Sequence, residues 1–89
     1  MAKISVIIPA YNAETTLRTA VESILSQQVP ELEIIIVNDG STDGTDRLCH
    51  ALASECPCIH VITQKNAGIC AARNRGMEAA GGEYITFCD

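Results

Sequence analysis

Apolar residues along this chain come in short runs separated by longer stretches of mixed polarity. Residues 4–8 are a β-branched apolar run that ends at Pro9, and residues 33–37 and 59–63 form two further runs. Continuous apolar runs of this length are typical of strands buried on both faces of a parallel sheet. Residues 84–87 add a fourth run, so the pattern predicts four strands.

The stretches between these runs carry apolar residues three and four positions apart, which is the spacing of amphipathic helices. The first predicts a helix over about residues 13–28 with Asn12 as its N-cap. The second helix is expected to be capped by Ser41 or Thr42. The third is expected to end at Gly81-Gly82, two residues that are able to take positive φ. Its side towards the sheet is expected to carry Ile69, Ala72, Gly76, Met77 and Ala80.

The resulting element order, βαβαβαβ, predicts an α/β fold with a doubly wound, Rossmann-like parallel sheet. Right-handed crossovers favour the strand order 3-2-1-4. Ligands of such sheets bind outside the carboxyl ends of the strands. The residues that follow the four strands, and therefore form the candidate site, are Pro9, Ala10, Tyr11 and Asn12, then Asn38 to Ser41, then Lys65 to Gly68, and Asp89.

Length and composition narrow the functional classes. The chain has 89 residues, enough for one small domain. Its net charge of −5 and the lack of a basic run argue against nucleic-acid binding. Five cysteines without CxxC spacing are expected to be reduced thiols in a cytosolic environment. The apolar run that follows Lys3 is too short for an export signal or a membrane span, so neither is expected in this chain.

The loop after the first strand favours stacking over phosphate binding. It lacks the glycine patterns of dinucleotide sites and P-loops and instead contains Pro9, Ala10 and Tyr11. The tyrosine ring offers a flat face on which a base can stack, and the alternative is an ordinary loop tyrosine. Asp39 follows the second strand and can accept hydrogen bonds from a base or a ribose. Its alternative role is an Asx-turn that leads into the second helix.

Two further charged residues are candidates for the same site. Arg73 lies on the third helix, whose first turn is formed by Asn66 and Gly68, and a guanidinium suits a phosphate or a base carbonyl. Its alternative is a place on a solvated helix face. Asp89 follows the fourth strand, which neighbours the first in the order 3-2-1-4, so it is expected across a crevice from Tyr11. There it could meet a ribose hydroxyl or a metal, and the alternative is a terminal residue without a partner.

Four segments together resemble the family 2 glycosyltransferases of the GT-A fold, over essentially the whole chain. They are SVIIPAYN at residues 5–12, IVNDGSTD at residues 36–43, NAG and ARN at residues 66–68 and 72–74, and GEYITFCD at residues 82–89. The resemblance implies that residues 1–89 are the N-terminal, nucleotide-sugar-binding part of a glycosyltransferase domain. It also implies that the chain is cut at the first aspartate of a D-x-D motif, Asp89.

The resemblance further assigns roles to individual residues. Pro9, Ala10 and Tyr11 would pack on the base of a nucleoside diphosphate sugar, usually UDP. Asp39 would hydrogen-bond the uracil ring, and Arg73 would lie at the nucleotide. The nucleotide-binding set it implies is Pro9, Ala10, Tyr11, Asp39, Asn66, Gly68, Arg73 and Asp89. Asp89 would act on the metal only indirectly, because a later aspartate of the motif holds the Mg²⁺ or Mn²⁺.

The longer protein to which this chain is expected to belong, called the parent below, is thus expected to be an inverting enzyme. It would transfer a sugar to the hydroxyl of a saccharide or lipid-linked acceptor. Cell-surface polysaccharide biosynthesis at the cytoplasmic face of the membrane would fit such an enzyme. No catalytic residue is expected in this chain, because the general base and the main metal ligand belong to the missing half. The chain alone is therefore expected to be inactive, to bind no metal and to self-associate through its fourth strand. The alternative is a non-catalytic nucleotide-binding or interaction module.

Overall fold

The computed structural model describes residues 3–88 and has the predicted alternation of strands and helices. The strands are β1 (Ile4–Ala10), β2 (Leu32–Asp39), β3 (Ile59–Gln64) and β4 (Tyr84–Phe87). The helices are α1 (Leu17–Leu25), α2 (Thr45–Glu55) and α3 (Ile69–Ala79). All strand pairs are parallel and the order is β3-β2-β1-β4, which confirms the predicted fold class and strand order.

The two central strands form the core because helices cover both of their faces. One face packs against α1 and α2, with Val6, Ile34 and Val21 among its buried residues. The other packs against α3, where Ile35 and Ala72 are buried. None of the helices in residues 3–88 is long and apolar enough to cross a membrane.

Strand β1 continues through Pro9 to Ala10, although the sequence predicts an end near the proline. The main-chain oxygen of Ile7 accepts a hydrogen bond from the Cys88 nitrogen at 2.9 Å, so the odd-numbered residues of β1 bond towards β4. Pro9 has the same parity, and β4 ends at Phe87. The missing N–H of the proline therefore removes no hydrogen bond between β1 and β2.

Helix α1 is shorter than predicted, and Asn12 as its N-cap is wrong. The helix begins at Leu17, after Thr16, which makes no side-chain capping hydrogen bond. Asn12 has a φ of 49° and its Oδ1 accepts a hydrogen bond from the Thr42 nitrogen at 2.8 Å. The side chain thus joins two loops, and it is not available to the first turn of the helix.

The start of α2 also differs from the prediction. The helix begins at Thr45, after Gly44, so neither Ser41 nor Thr42 is its cap. The carboxylate of Asp43 instead accepts a hydrogen bond from the Thr45 nitrogen at 2.9 Å. An aspartate near the first turn satisfies one of the unpaired helical N–H groups and also favours the helix dipole.

Helix α3 packs on the sheet through its smallest residues. Ala72 and Gly76 are buried, but Ile69 and Met77, which are predicted to pack with them, are 52% and 41% exposed. Ile69 is the first residue of the helix and lies where the strands have ended. The prediction is therefore wrong for these two larger residues, and α3 leaves apolar side chains in solvent.

The connection from α3 to β4 is held by hydrogen bonds, and neither Gly81 nor Gly82 uses its ability to take a positive φ. The Gly81 nitrogen donates to the carboxylate of Glu33 at 2.6 Å. The Gly82 nitrogen donates to the hydroxyl of Ser5 at 2.9 Å, and that hydroxyl donates to Glu33. These contacts orient the chain as it enters β4, so no left-handed residue is needed there.

Candidate functional site

An open cleft of about 340 Å³ lies at the carboxyl ends of β1 and β2, beside the first turns of α3. Parallel sheets bind their ligands at this edge. The cleft is lined by Pro9, Ala10, Tyr11, Asp39, Asn66 and Gly68, together with Ile69 and Ala72. The structure therefore brings six of the eight predicted nucleotide-binding residues to one surface.

Tyr11 supplies the largest aromatic surface of this cleft. It directly follows β1, and its side chain is 54% exposed. Ile69, at the start of α3, lines the same cleft, although its helical spacing predicts only a packing role. An exposed aromatic ring and an aliphatic side chain around one cleft suit a flat, partly apolar group such as a nucleic-acid base.

The carboxylate of Asp39 lies at the base of the cleft and is almost fully buried, with 3% of the residue exposed. Its Oδ1 accepts hydrogen bonds from the Gln64 side-chain nitrogen at 2.8 Å and from the Ala67 nitrogen at 2.9 Å. Its Oδ2 accepts one from the Gly68 nitrogen at 3.0 Å. Asp39 thus fixes the chain between β3 and α3, a structural role that was not predicted, and its carboxylate makes these hydrogen bonds in place of an Asx-turn.

These hydrogen bonds decide the charge of Asp39. Burial raises the pKa of the carboxyl group, but the hydrogen bonds from Gln64, Ala67 and Gly68 outweigh it, and the net pKa is lowered. The group is therefore ionised at neutral pH. An ionised carboxylate has about four acceptor positions, and the three hydrogen bonds leave one for a donor on a ligand.

A second contact brings the loop after β3 against the loop after β2. The Asn66 side-chain nitrogen donates to the main-chain oxygen of Asp39 at 3.0 Å. Next to it, Gly40 has a φ of +67° and lies directly against the main chain of Asn66. The two loops meet without a gap, and together with Asp39 they close one side of the cleft.

Sequence reasoning missed one residue that shapes this site, Gln64, and also the role of Asn12, which was expected at the site only because it follows the first strand. Gln64 ends β3 and donates to Asp39, and a polar residue at a strand end, facing the predicted site, is the signal that could have identified it. Asn12 links the loops after β1 and β2, because its main-chain nitrogen also donates to the Ser41 hydroxyl at 3.0 Å. Its interpretation as a helix cap concealed this role.

Of the remaining two predicted residues, Arg73 is not among the residues that line the cleft. Arg73 is half-buried on α3, with its guanidinium carbon 5.7 Å from the centroid of the Phe87 ring. This distance is within the range of a cation–π interaction, and it directs Arg73 towards β4. Asp89 lies outside the described residues.

The described residues do not form a metal site by themselves. Across residues 3–88, no three His, Cys, Asp or Glu side chains are grouped so that they could hold an ion. The carboxylate in the cleft, Asp39, already accepts hydrogen bonds from three N–H donors. The predicted indirect metal residue, Asp89, again lies outside the described range.

Comparison with known proteins gives clear relatives. Over 87 residues the chain is 48% identical to the uncharacterized glycosyltransferase YibD of Escherichia coli (strain K12), covering 98% of this chain. The crystal structure of S. aureus TarS 1-349 in complex with UDP superimposes with a TM-score of 0.88 at 32% identity, over 98% of this chain. The mannosyltransferase PcManGT from Pyrobaculum calidifontis, solved with GDP-Man and Mn²⁺, gives 0.87 at 27% identity, over 93%.

All of these proteins are much longer than this chain. It spans 25% of YibD, 27% of the TarS chain and 26% of the mannosyltransferase. Residues 5–89 match the family described as Glycosyl transferase family 2, which is nearly the whole chain. With a parallel sheet of the predicted order and a cleft at its carboxyl edge, the chain belongs to glycosyl transferase family 2.

Proposed function

We propose that residues 1–89 are the nucleotide-binding, N-terminal part of a longer glycosyltransferase that uses a UDP-sugar. The observation that carries this proposal is the cleft that is lined by both the exposed ring of Tyr11 and the buried, ionised Asp39. An aromatic face suits stacking on a pyrimidine, and the remaining acceptor position of Asp39 suits the ring N–H of uracil. The complex of TarS with UDP supports this choice of donor.

Sugar transfer itself is assigned to the longer protein. The hydroxyl of a saccharide or lipid-linked acceptor would displace the nucleotide at the anomeric carbon in one inverting step, after a carboxylate outside this chain removes its proton. Asp89 would mark the start of the D-x-D motif. The Mn²⁺ bound to PcManGT supports a divalent ion in the parent, whereas residues 3–88 provide binding and orientation of the nucleotide.

The setting proposed for the parent is the cytoplasm or the cytoplasmic face of a membrane. The described cysteines are free thiols, which fits a reducing compartment. Nucleotide sugars that are consumed at this face would serve cell-surface polysaccharide synthesis. The acceptor would then be a growing saccharide or its lipid carrier.

The first test measures nucleotide binding by titration calorimetry with UDP, GDP and NAD. We expect the wild-type chain to bind UDP weakly and in preference to NAD, because no glycine fingerprint is present for a dinucleotide. Loss of a stacking aromatic costs roughly 1–3 kcal/mol. Tyr11→Ala should therefore weaken UDP binding by about tenfold. Tyr84→Ala, which removes a similarly exposed tyrosine on β4, should leave it unchanged.

Four results would count against the proposal. Equal affinity for UDP and NAD would show that the cleft does not prefer UDP. Tighter binding of GDP would show that the donor is a GDP-sugar and not a UDP-sugar. Equal effects of Tyr11→Ala and Tyr84→Ala would show that the cleft is not the binding site. Nucleotide binding without sugar transfer by the longer protein would favour the alternative, a non-catalytic nucleotide-binding module.

We also expect the 89-residue chain to self-associate through β4, the outermost strand beside β1 in residues 3–88. Tyr84, Ile85 and Phe87 on this strand are 63%, 43% and 41% exposed. Apolar edge strands pair readily with a second copy, and a two-fold contact would continue the sheet. In light scattering, Ile85→Lys should weaken the dimer by at least about tenfold, because the contact would bury a charge.

Met77→Lys is the matched control for this prediction. Met77 is 41% exposed and Ile85 is 43% exposed, but Met77 lies on α3 and not on the strand edge. This variant should self-associate like the wild type. A wild-type chain that stays monomeric at high concentration, or equal effects of the two lysines, would contradict pairing through β4.

A further inference from the structure

The turn between α2 and β3 contains two cysteines on either side of a proline. The Ile59 nitrogen donates to the Cys56 oxygen at 3.1 Å, which closes a four-residue turn with Pro57 at its second position. The proline ring fixes φ there. The Cys58 oxygen accepts a hydrogen bond from the Ile34 nitrogen at 2.9 Å, so the turn is also anchored to β2. The backbone around the two thiols is therefore constrained.

The constrained turn brings the two sulfur atoms into contact. Cys56 Sγ and Cys58 Sγ are 3.1 Å apart. A disulfide bond is about 2.0 Å long, so a small rotation of the side chains would bring the sulfurs to bonding distance. Both residues are half-buried and pack against the core on the α1 and α2 side of the sheet. The other three cysteines are not part of this turn: Cys49 is buried within α2, Cys70 is exposed on α3, and Cys88 follows β4, beside β1.

We propose that Cys56 and Cys58 form a reversible disulfide by exchange with a low-molecular-weight disulfide such as oxidised glutathione. The Cys56 thiolate attacks one sulfur of the dissolved disulfide, forming a mixed disulfide and releasing one thiolate. Cys58 then loses its proton and attacks Cys56 Sγ, which releases the second thiolate. The two cysteines lose two electrons, and the dissolved disulfide is reduced to two thiols.

The order of the two steps follows from the environment of Cys58. Burial, and then its hydrogen bond and charge interaction with Cys56, raise the pKa of the Cys58 thiol to about 11. Cys58 therefore keeps its proton at neutral pH and can donate it towards the Cys56 sulfur. Because the thiolate is the reactive form of cysteine, the second attack is assigned to Cys58 and the first to Cys56.

The site is separate from the nucleotide cleft. The turn precedes β3, whereas Gln64, which contacts Asp39, ends the same strand. A strand of this length spans about 17 Å, at about 3.3 Å per residue. Oxidation of the turn should therefore leave UDP binding unchanged, and the result of one experiment does not depend on the other.

The test equilibrates the whole chain with graded ratios of reduced and oxidised glutathione, both folded and in concentrated urea. Free thiols are then blocked in denaturant, disulfides are reduced, and the new thiols receive a second label. Cleavage after Arg47 and Lys65 gives a peptide in which tandem mass spectrometry separates Cys49, Cys56 and Cys58. We expect the second label on Cys56 and Cys58 only, with an equilibrium constant for oxidation at least about tenfold larger in the folded chain.

Two variants complete the test. Cys56→Ser should abolish the intramolecular disulfide, whereas Cys70→Ser should leave it unchanged. Equal equilibrium constants for the folded and the urea-denatured chain would overturn the proposal. Cys56 and Cys58 that stay reduced in the folded chain, at ratios that oxidise the denatured chain, would overturn it as well.

Discussion

Replacing Asp39 with asparagine is expected to lower the free energy of unfolding by about 1–3 kcal/mol and to remove detectable UDP binding. The asparagine can keep one acceptor oxygen for Gln64 and Ala67, but its amide nitrogen would then face the Gly68 N–H at the position of the present 3.0 Å hydrogen bond. Two donors would meet in a buried place. The base of the nucleotide would also lose the ionised acceptor. Urea denaturation and calorimetry measure the two effects.

Gln64→Leu is the control that separates support of the loop from contact with the ligand. It removes one donor to Asp39, at a cost of about 1 kcal/mol, and leaves the carboxylate in place. This variant should still bind UDP. If Asp39→Asn leaves the urea midpoint unchanged, the hydrogen bonds from the loop do not stabilise the fold. If both variants lose UDP equally, Asp39 acts only through the loop.

The contribution of Asp39 to the free energy of unfolding should also depend on pH. Its pKa is lowered in the folded chain, so its stabilisation is fully present above the unfolded pKa of about 3.9 and is lost as the pH falls through the lower, folded value. Asp39→Asn should flatten this part of the stability curve. Some acid dependence should remain, because the pKa of Glu33 is lowered too.

Gly40→Ala is expected to have the second large effect, a loss of about 2–5 kcal/mol in the free energy of unfolding. A φ of +67° is unfavourable for alanine, and the added Cβ would lie 2.5 Å from the main-chain nitrogen of Asn66. That nitrogen belongs to the backbone, so it can move only if the loop after β3 moves. The strain of the left-handed conformation and the displaced loop would therefore add.

Gly81→Ala provides the comparison for this substitution. Its φ is not positive, and its Cβ would come no closer than 3.6 Å to another group, the Glu33 carboxylate. Guanidinium denaturation should place this variant within about 0.5 kcal/mol of the wild type. Equal midpoints for the two alanine variants would show that the contact between Gly40 and Asn66 does not constrain the loops.

The sheet could be predicted from the sequence because its signal is local. Runs such as residues 34–37 are apolar throughout, and the right-handedness of the crossovers then leaves few possible strand orders. The edge of the sheet that carries Tyr11 and Asp39 could be predicted from the same rule, since Tyr11 directly follows β1 and Asp39 is the last residue of β2. Each of these inferences needs only the neighbours of a residue in the chain.

The details that could not be predicted depend on partners far away in the chain. The residues next to Asp39 in the chain favour an Asx-turn. Its carboxylate oxygens instead accept hydrogen bonds from residues 25 to 29 positions later. The local sequence predicts Asn12 as a helix cap, but in the fold its side chain accepts a hydrogen bond from Thr42, which is 30 residues away in the chain. When a polar side chain has several possible hydrogen-bond partners, tertiary contacts determine which partner it takes, and a single sequence does not show those contacts.

The hydrogen bonds between Asp39 and the chain after β3 have an entropic consequence for recognition. Fixing the backbone of one residue costs about 1–2 kcal/mol of conformational entropy. In a binding site made of flexible loops, this cost is subtracted from the binding free energy when the ligand orders them. Here the segment from Gln64 to Gly68 is held by the fold itself, through a carboxylate on a buried strand. The wall of the cleft is thus preorganised, and more of the interaction energy with a nucleotide remains as affinity.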